Sequence, residues 1–77
     1  MRAFVLINTE LGFMEAVRQT LLSIEGISEV HLLYGEYDLL ALVHVKTMKR
    51  LKEVIGWQIR KVENIRSSQT LIVMEYD

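Results

Sequence analysis

Residues 3–9, AFVLINT, form a short run of branched and aromatic side chains ending at Asn8 and Thr9, the pattern of a strand. After Gly12 the period lengthens. Met14, Val17, Leu21 and Ile24 recur every three or four positions with Glu15, Arg18 and Gln19 between them, which predicts an amphipathic helix closed by Gly26. Residues 27–34, ISEVHLLY, and 38–45, DLLALVHV, return to strand character. Gly35 and Glu36 would form a two-residue type II′ hairpin loop between them, because glycine at the first central position accepts the positive φ of that turn. Thr47 can cap a second helix whose Leu51, Val54, Ile55, Ile59 and Val62 lie on one face, with Trp57 half covered at its edge. Gly56 within it costs about 1 kcal/mol relative to alanine, which either a close contact or simple tolerance would explain. Residues 69–76, QTLIVMEY, give the final strand.

The order β-α-β-β-α-β with right-handed crossovers leads to one fold class. It is α+β, a ferredoxin-like four-stranded antiparallel sheet with two helices on one face. Alternation along each strand then divides its side chains between two faces. Ala3, Val5 and Ile7 oppose Phe4, Leu6 and Asn8; Leu39, Ala41, Val43 and Val45 oppose Leu40, Leu42 and His44; Ile72, Met74 and Tyr76 oppose Leu71 and Val73. Both sets are largely apolar, yet two helices cover only one face. Two copies packed sheet against sheet, a dimeric α+β barrel, would cover the other.

Size and composition reinforce that expectation. Residues 1–77 read as a single domain, without a proline, repeat or linker-like stretch to mark a boundary. A chain this short buries roughly 60% of its unfolded surface. Although 51% of its residues are hydrophobic, it has no cysteine with which to staple a small core. The apolar run MRAFVLI is too short for a signal peptide or a membrane span, so the expected compartment is the cytoplasm, with no membrane partner. Charge is uneven. Residues 1–45 carry Arg2 and Arg18 against Glu10, Glu15, Glu25, Glu29, Glu36 and Asp38, whereas seven of the nine Lys and Arg residues fall in 46–77. Such a dipolar chain suits self-association better than nucleic-acid binding. The run Lys46, Lys49, Arg50, Lys52, Arg60 and Lys61 reads as a solvated face, or one that meets the acidic half of a neighbour.

The candidate chemistry is sparse. YGEYD at 34–38 places one carboxylate, Asp38, at the mouth of an apolar strand, where it is either a turn residue bonded to nearby backbone or part of a site. Tyr34 and Tyr37 would face one another across the loop as an aromatic pair, or line a pocket. If they pair, His31 opposes Leu40, and His44 lies roughly 13 Å further along the neighbouring strand. Those histidines cannot share a metal. No phosphate loop, nucleophile elbow or metal-binding helix motif is present, and no cofactor is expected.

INTELG, IEGISEVHLLYGEYDLLALVHV and a last strand carrying Ser68, Thr70 and LIVM together resemble the effector-binding domain of the Lrp/AsnC transcription regulators, known as RAM, for regulation of amino acid metabolism. The resemblance spans essentially the whole chain. It is most specific at Gly35, Tyr37 and Asp38, the G-x-aromatic-D motif of the central hairpin. Two departures stand out: Tyr34 occupies a position commonly held by a small hydroxyl residue, and Glu63-Asn64-Ile65 stands where a glycine often precedes the last strand. Beginning on its first strand, the chain would be a stand-alone RAM domain without a helix-turn-helix.

The resemblance implies a homodimer joined through the sheet faces, rings of dimers, and a small effector, typically an amino acid, between dimers near the hairpin. Carried over by position, Gly35, Tyr37 and Asp38 would line that site beside Tyr34, with Thr70 a further candidate. Gly-turn amides suit a carboxylate, and Asp38 suits an ammonium group. Such a module would be no enzyme; it would act through a partner, for which a full-length Lrp/AsnC regulator is one candidate. Two other readings remain open. A dimeric α+β barrel enzyme of monooxygenase or isomerase type would need His31, His44 or Asp38 in a cavity, and a purely structural oligomerising subunit would bind nothing small.

Overall fold

A computed structural model describes residues 1–74. The elements run β1 (Arg2–Thr9), α1 (Met14–Leu22), β2 (Ile27–Leu32), β3 (Leu39–His44), α2 (Met48–Glu53) and β4 (Ile65–Ile72). They build one antiparallel sheet in the spatial order β2-β3-β1-β4, the expected ferredoxin-like arrangement. Its core is the helix-side face. Ala3, Val5 and Ile7 of β1 and Leu39, Ala41 and Val43 of β3 pack against Val17 and Leu21 of α1 and against Leu51, Val54 and Ile59 of the second helical segment.

Register decides which side chains share a face. Phe4 pairs with Leu42 and Leu71, and Leu6 pairs with Leu40 and Gln69, so these residues lie on the face away from the helices. Phe4, Leu6, Leu40 and Leu42 are only half-buried there, and Leu71 is exposed. The apolar outer face read from the alternation is therefore real on the central strands. His31 pairs with Leu40, as the two-residue spacing required.

Three local expectations change. The hairpin loop is longer than two residues: β2 ends at Leu32, β3 begins at Leu39, and Gly35 does not take a positive φ. Leu33 N–H donates to the Asp38 carbonyl at 2.9 Å, closing a wider loop that leaves Tyr34 fully exposed rather than stacked on Tyr37. β4 starts at Ile65, four residues before the apolar run suggested, because Ile65, Ser67, Ser68 and Gln69 pair with β1 while the side chains of RSSQ stay in solvent. Residues 75 and 76, assigned to that strand from the sequence, lie outside the described residues.

The second helix changes its winding. Thr47 caps it as expected, its hydroxyl oxygen accepting from the Arg50 amide at 3.1 Å. After Glu53, however, the chain widens to a π turn over Val54–Gln58 and then tightens to a 3₁₀ turn over Ile59–Lys61. Ile59 N–H donates to the Val54 carbonyl, five residues back, so both side chains face the core. The same widening turns Trp57 outward to 63% exposure, more than its place beside the apolar stripe implied. Lys61 Nζ lies over its ring, 5.2 Å from the centroid. Gly56 has open space where a Cβ would sit, so no close contact demands it.

Gly26 differs. Its φ is +105°, and a Cβ there would lie 3.0 Å from Val45 Cγ1 and 3.3 Å from Val54 Cγ2. Asn64 also adopts a left-handed conformation, with φ +69°, and its carbonyl accepts from the Glu10 amide at 2.8 Å. Asparagine tolerates that region better than most side-chain-bearing residues.

Candidate functional site

Asp38 is held at every polar position but one. Its amide donates to the Ile7 carbonyl at 2.9 Å, and its carbonyl accepts from Leu33. Its Oδ2 accepts from the Thr9 amide at 2.9 Å and the Thr9 hydroxyl at 3.3 Å. Thr9 is buried, and the β1–β3 ladder ends at Ile7 and Leu39, so the Asp38 carboxylate serves the Thr9 amide just beyond it. The Asp38 carboxylate does bond backbone, but on β1 rather than within the loop that the turn reading expected.

The same carboxylate also lines a cavity. About 280 Å³ of space opens between the end of β1, the 10–13 loop and the start of β4, bounded by Thr9, Glu10, Leu11, Gly12, Met14, Asp38 and Arg66. Gly12, with φ +86°, turns the chain there, and Phe13 N–H donates to the Glu10 carbonyl at 3.0 Å. Two carboxylates and one guanidinium therefore meet in one cavity. They form no ion pair with one another among the described residues. Leu11 is 97% exposed at its rim.

The other candidate residues are distributed. Tyr37 reaches across to β4, its hydroxyl donating to Gln69 Oε1 at 2.7 Å. Tyr34 and Gly35 project from the hairpin tip and line no cavity with Asp38. Thr70 pairs with Val5 on the far side of β1, facing the helices, and borders cavities next to the second helix instead. His31 bonds Glu29 Oε1 at 2.9 Å on the surface, and His44 is exposed at the end of β3. No group of three metal-binding side chains occurs among the described residues.

Thr9, Glu10 and Arg66 were not singled out in the sequence. The first two belong to INTELG, which marked a strand end and carried part of the family resemblance without pointing to a site. Arg66 interrupts an otherwise uncharged IRSSQTLI strand, and that lone cation was the available signal.

An antiparallel sheet with both helices on one face and a charged cavity at its hairpin end defines a ferredoxin-like α+β domain. Residues 2–76 match the model of the Lrp/AsnC ligand binding domain, and the chain belongs to that family. Among solved structures it is similar to FFRP-DM1, with 36% identity over 95% of this chain and 97% of that one, and a TM-score of 0.89. It is also similar to TTHA0845 from Thermus thermophilus, with 29% identity, 99% and 95% coverage and a TM-score of 0.90. The transcriptional regulator NMB0573 from Neisseria meningitidis, solved with L-methionine, shares the fold at 14% identity and a TM-score of 0.83. There the match covers 96% of this chain and 49% of the regulator. No curated protein matches significantly. No helix among the described residues is long and apolar enough to cross a membrane.

Proposed function

We propose that this domain binds a free amino acid in the cavity between the 10–13 loop, Asp38 and Arg66, and couples its occupancy to transcriptional regulation through self-assembly. The observation that carries the reading is the mixed charge of that cavity. Arg66 can chelate an α-carboxylate, while Glu10 and the second oxygen of Asp38, which bonds nothing among the described residues, can receive an α-ammonium. Met14 and Leu11 offer apolar surface to the side chain of the amino acid. Membership of a ligand-binding family and the L-methionine complex of a distant relative support the same class of effector.

Assembly enters through two surfaces. The outer sheet face around Phe4, Leu6, Leu40 and Leu42 is suited to a second copy packed face to face. Tyr34 in the hairpin loop and Leu11 at the cavity rim, both exposed, are suited to a neighbouring dimer that completes the cavity. An amino acid bound at such a junction favours the assembly that binds it more tightly. The partner in this reading is a DNA-binding regulator that co-assembles through the same face, and direct contact with nucleic acid is not required.

Thermal denaturation in the presence of each of the twenty amino acids tests the proposal. A ligand at a hundredfold excess over its dissociation constant adds about 2.7 kcal/mol of stability. Arg66→Gln should abolish that gain. If no amino acid raises the midpoint at millimolar concentration, the domain is not an amino-acid sensor.

A further inference from the structure

A second cavity, of about 290 Å³, opens on the helix side of the sheet between the Ile59–Lys61 turn and β4. We propose that it binds a small organic carboxylate lacking an ammonium group, of the branched 2-oxo acid class.

Its lining differs from that of the first cavity in one decisive respect. Arg60 and Arg66 both border it, and no aspartate or glutamate does. Neither guanidinium has an ion-pair partner among the described residues. Two unpaired guanidinium groups beside one small space are suited to a carboxylate held by parallel N–H···O bonds. An ammonium group would find no counter-charge there, whereas the first cavity supplies Glu10 and Asp38.

The uncharged part of the lining narrows the class further. Ser68 and Thr70 contribute hydroxyls whose side chains bond nothing else among the described residues, and a hydroxyl can donate to a neutral oxo group. Val5, Ile55 and Ile59 supply an apolar floor that matches a short branched hydrocarbon chain. The volume lies at the lower end of small-molecule sites, too small for a nucleotide. The cavity also faces the helices, so a dimer formed through the outer face leaves it open.

Arg66 borders both cavities. A guanidinium turned into one cavity is turned away from the other, so an amino acid in the first cavity and a 2-oxo acid in the second oppose each other, and the opposition is reciprocal. This coupling rests on the amino-acid reading above; the anion site does not. Taken together, the two sites make the domain responsive to the ratio of an amino acid to a deaminated acid.

Calorimetric titration of the 77-residue protein with 4-methyl-2-oxopentanoate, with inorganic phosphate as a second anion, tests the site. Binding should weaken at least about tenfold in Arg60→Gln and Arg66→Gln and stay unchanged in Asp38→Asn. Arg60 is exposed, so its replacement leaves the core intact. Absence of binding at about 10 mM, retention of affinity in Arg60→Gln, or equal binding of phosphate would each overturn the proposal. If the oxo acid binds through Arg60 while no amino acid binds anywhere, the second site stands and the amino-acid reading fails. If both bind but neither alters the affinity of the other, the shared Arg66 does not couple them.

Discussion

Asp38 Oδ2 receives both the amide and the hydroxyl of Thr9, at 2.9 and 3.3 Å, tying the hairpin to the end of β1. One carboxylate therefore serves the fold and borders the candidate site together.

Substitution at this position should separate those roles. Asp38→Ala leaves the buried Thr9 amide without its acceptor, a loss of about 1–3 kcal/mol. Asp38→Asn keeps an oxygen for Thr9 and removes the charge, so most stability should survive while amino-acid affinity falls. Urea unfolding midpoints paired with ligand titrations of the two variants distinguish these effects, and equal stability of both would show that Thr9 does not depend on Asp38.

Gly26 and Gly56 should respond in opposite directions. Gly26→Ala places a methyl against Val45 and Val54 in a left-handed backbone, and should cost at least about 1 kcal/mol. Gly56→Ala meets open space within a helical segment and should stabilise by up to about 1 kcal/mol. Thermal midpoints of the two variants check both signs.

Charge on the outer sheet face should block dimer formation. Leu42 pairs with Phe4 across β3 and β1 on that face. Leu42→Glu should move the sedimenting species from twice the chain mass to the 9.0 kDa chain itself at micromolar concentration. A wild-type protein that already sediments as a folded monomer would refute the face-to-face dimer.

Glu15 on α1 gives a pH signature. Hydrogen bonds from Arg18, followed by one from Gln19, lower its pKa from an ordinary 4.5 to about 2. Because the folded-state value is the lower one, the associated stability is present above 4.5 and is lost as pH falls towards about 2. Glu15 is exposed and Arg18 only half-buried, which keeps the contribution small. The Glu15 carboxyl resonance should titrate near 2, and Arg18→Ala should return it towards 4.5.

The architecture was legible because each strand carried its own face pattern and the helices their own period. Val17 and Leu21 fell on the buried side of α1 as their spacing required. Trp57, placed half covered at the edge of its stripe, is 63% exposed, because the π turn over Val54–Gln58 that carries it leaves no mark in a helical repeat. The early start of β4 was hidden for a different reason: strand pairing there depends on backbone hydrogen bonds to β1, and RSSQ buries no apolar side chain. The candidate site was half visible. Asp38 stood out as a charge among apolar residues, but its meeting with Thr9, Glu10 and Arg66 is a product of topology, with residues from both ends of the chain brought to one end of the sheet.

β4 lies at the rim of the sheet and carries Arg66, Ser67, Ser68, Gln69 and Thr70 in succession. A polar, charge-bearing rim is a poor template for strands of other copies. Growth by edge-to-edge stacking has no natural end, whereas joining through an apolar face uses itself up in a single encounter. The rim thus discourages runaway polymerisation, a safeguard that the proposed face-to-face association would need if its signal resides in how many copies come together.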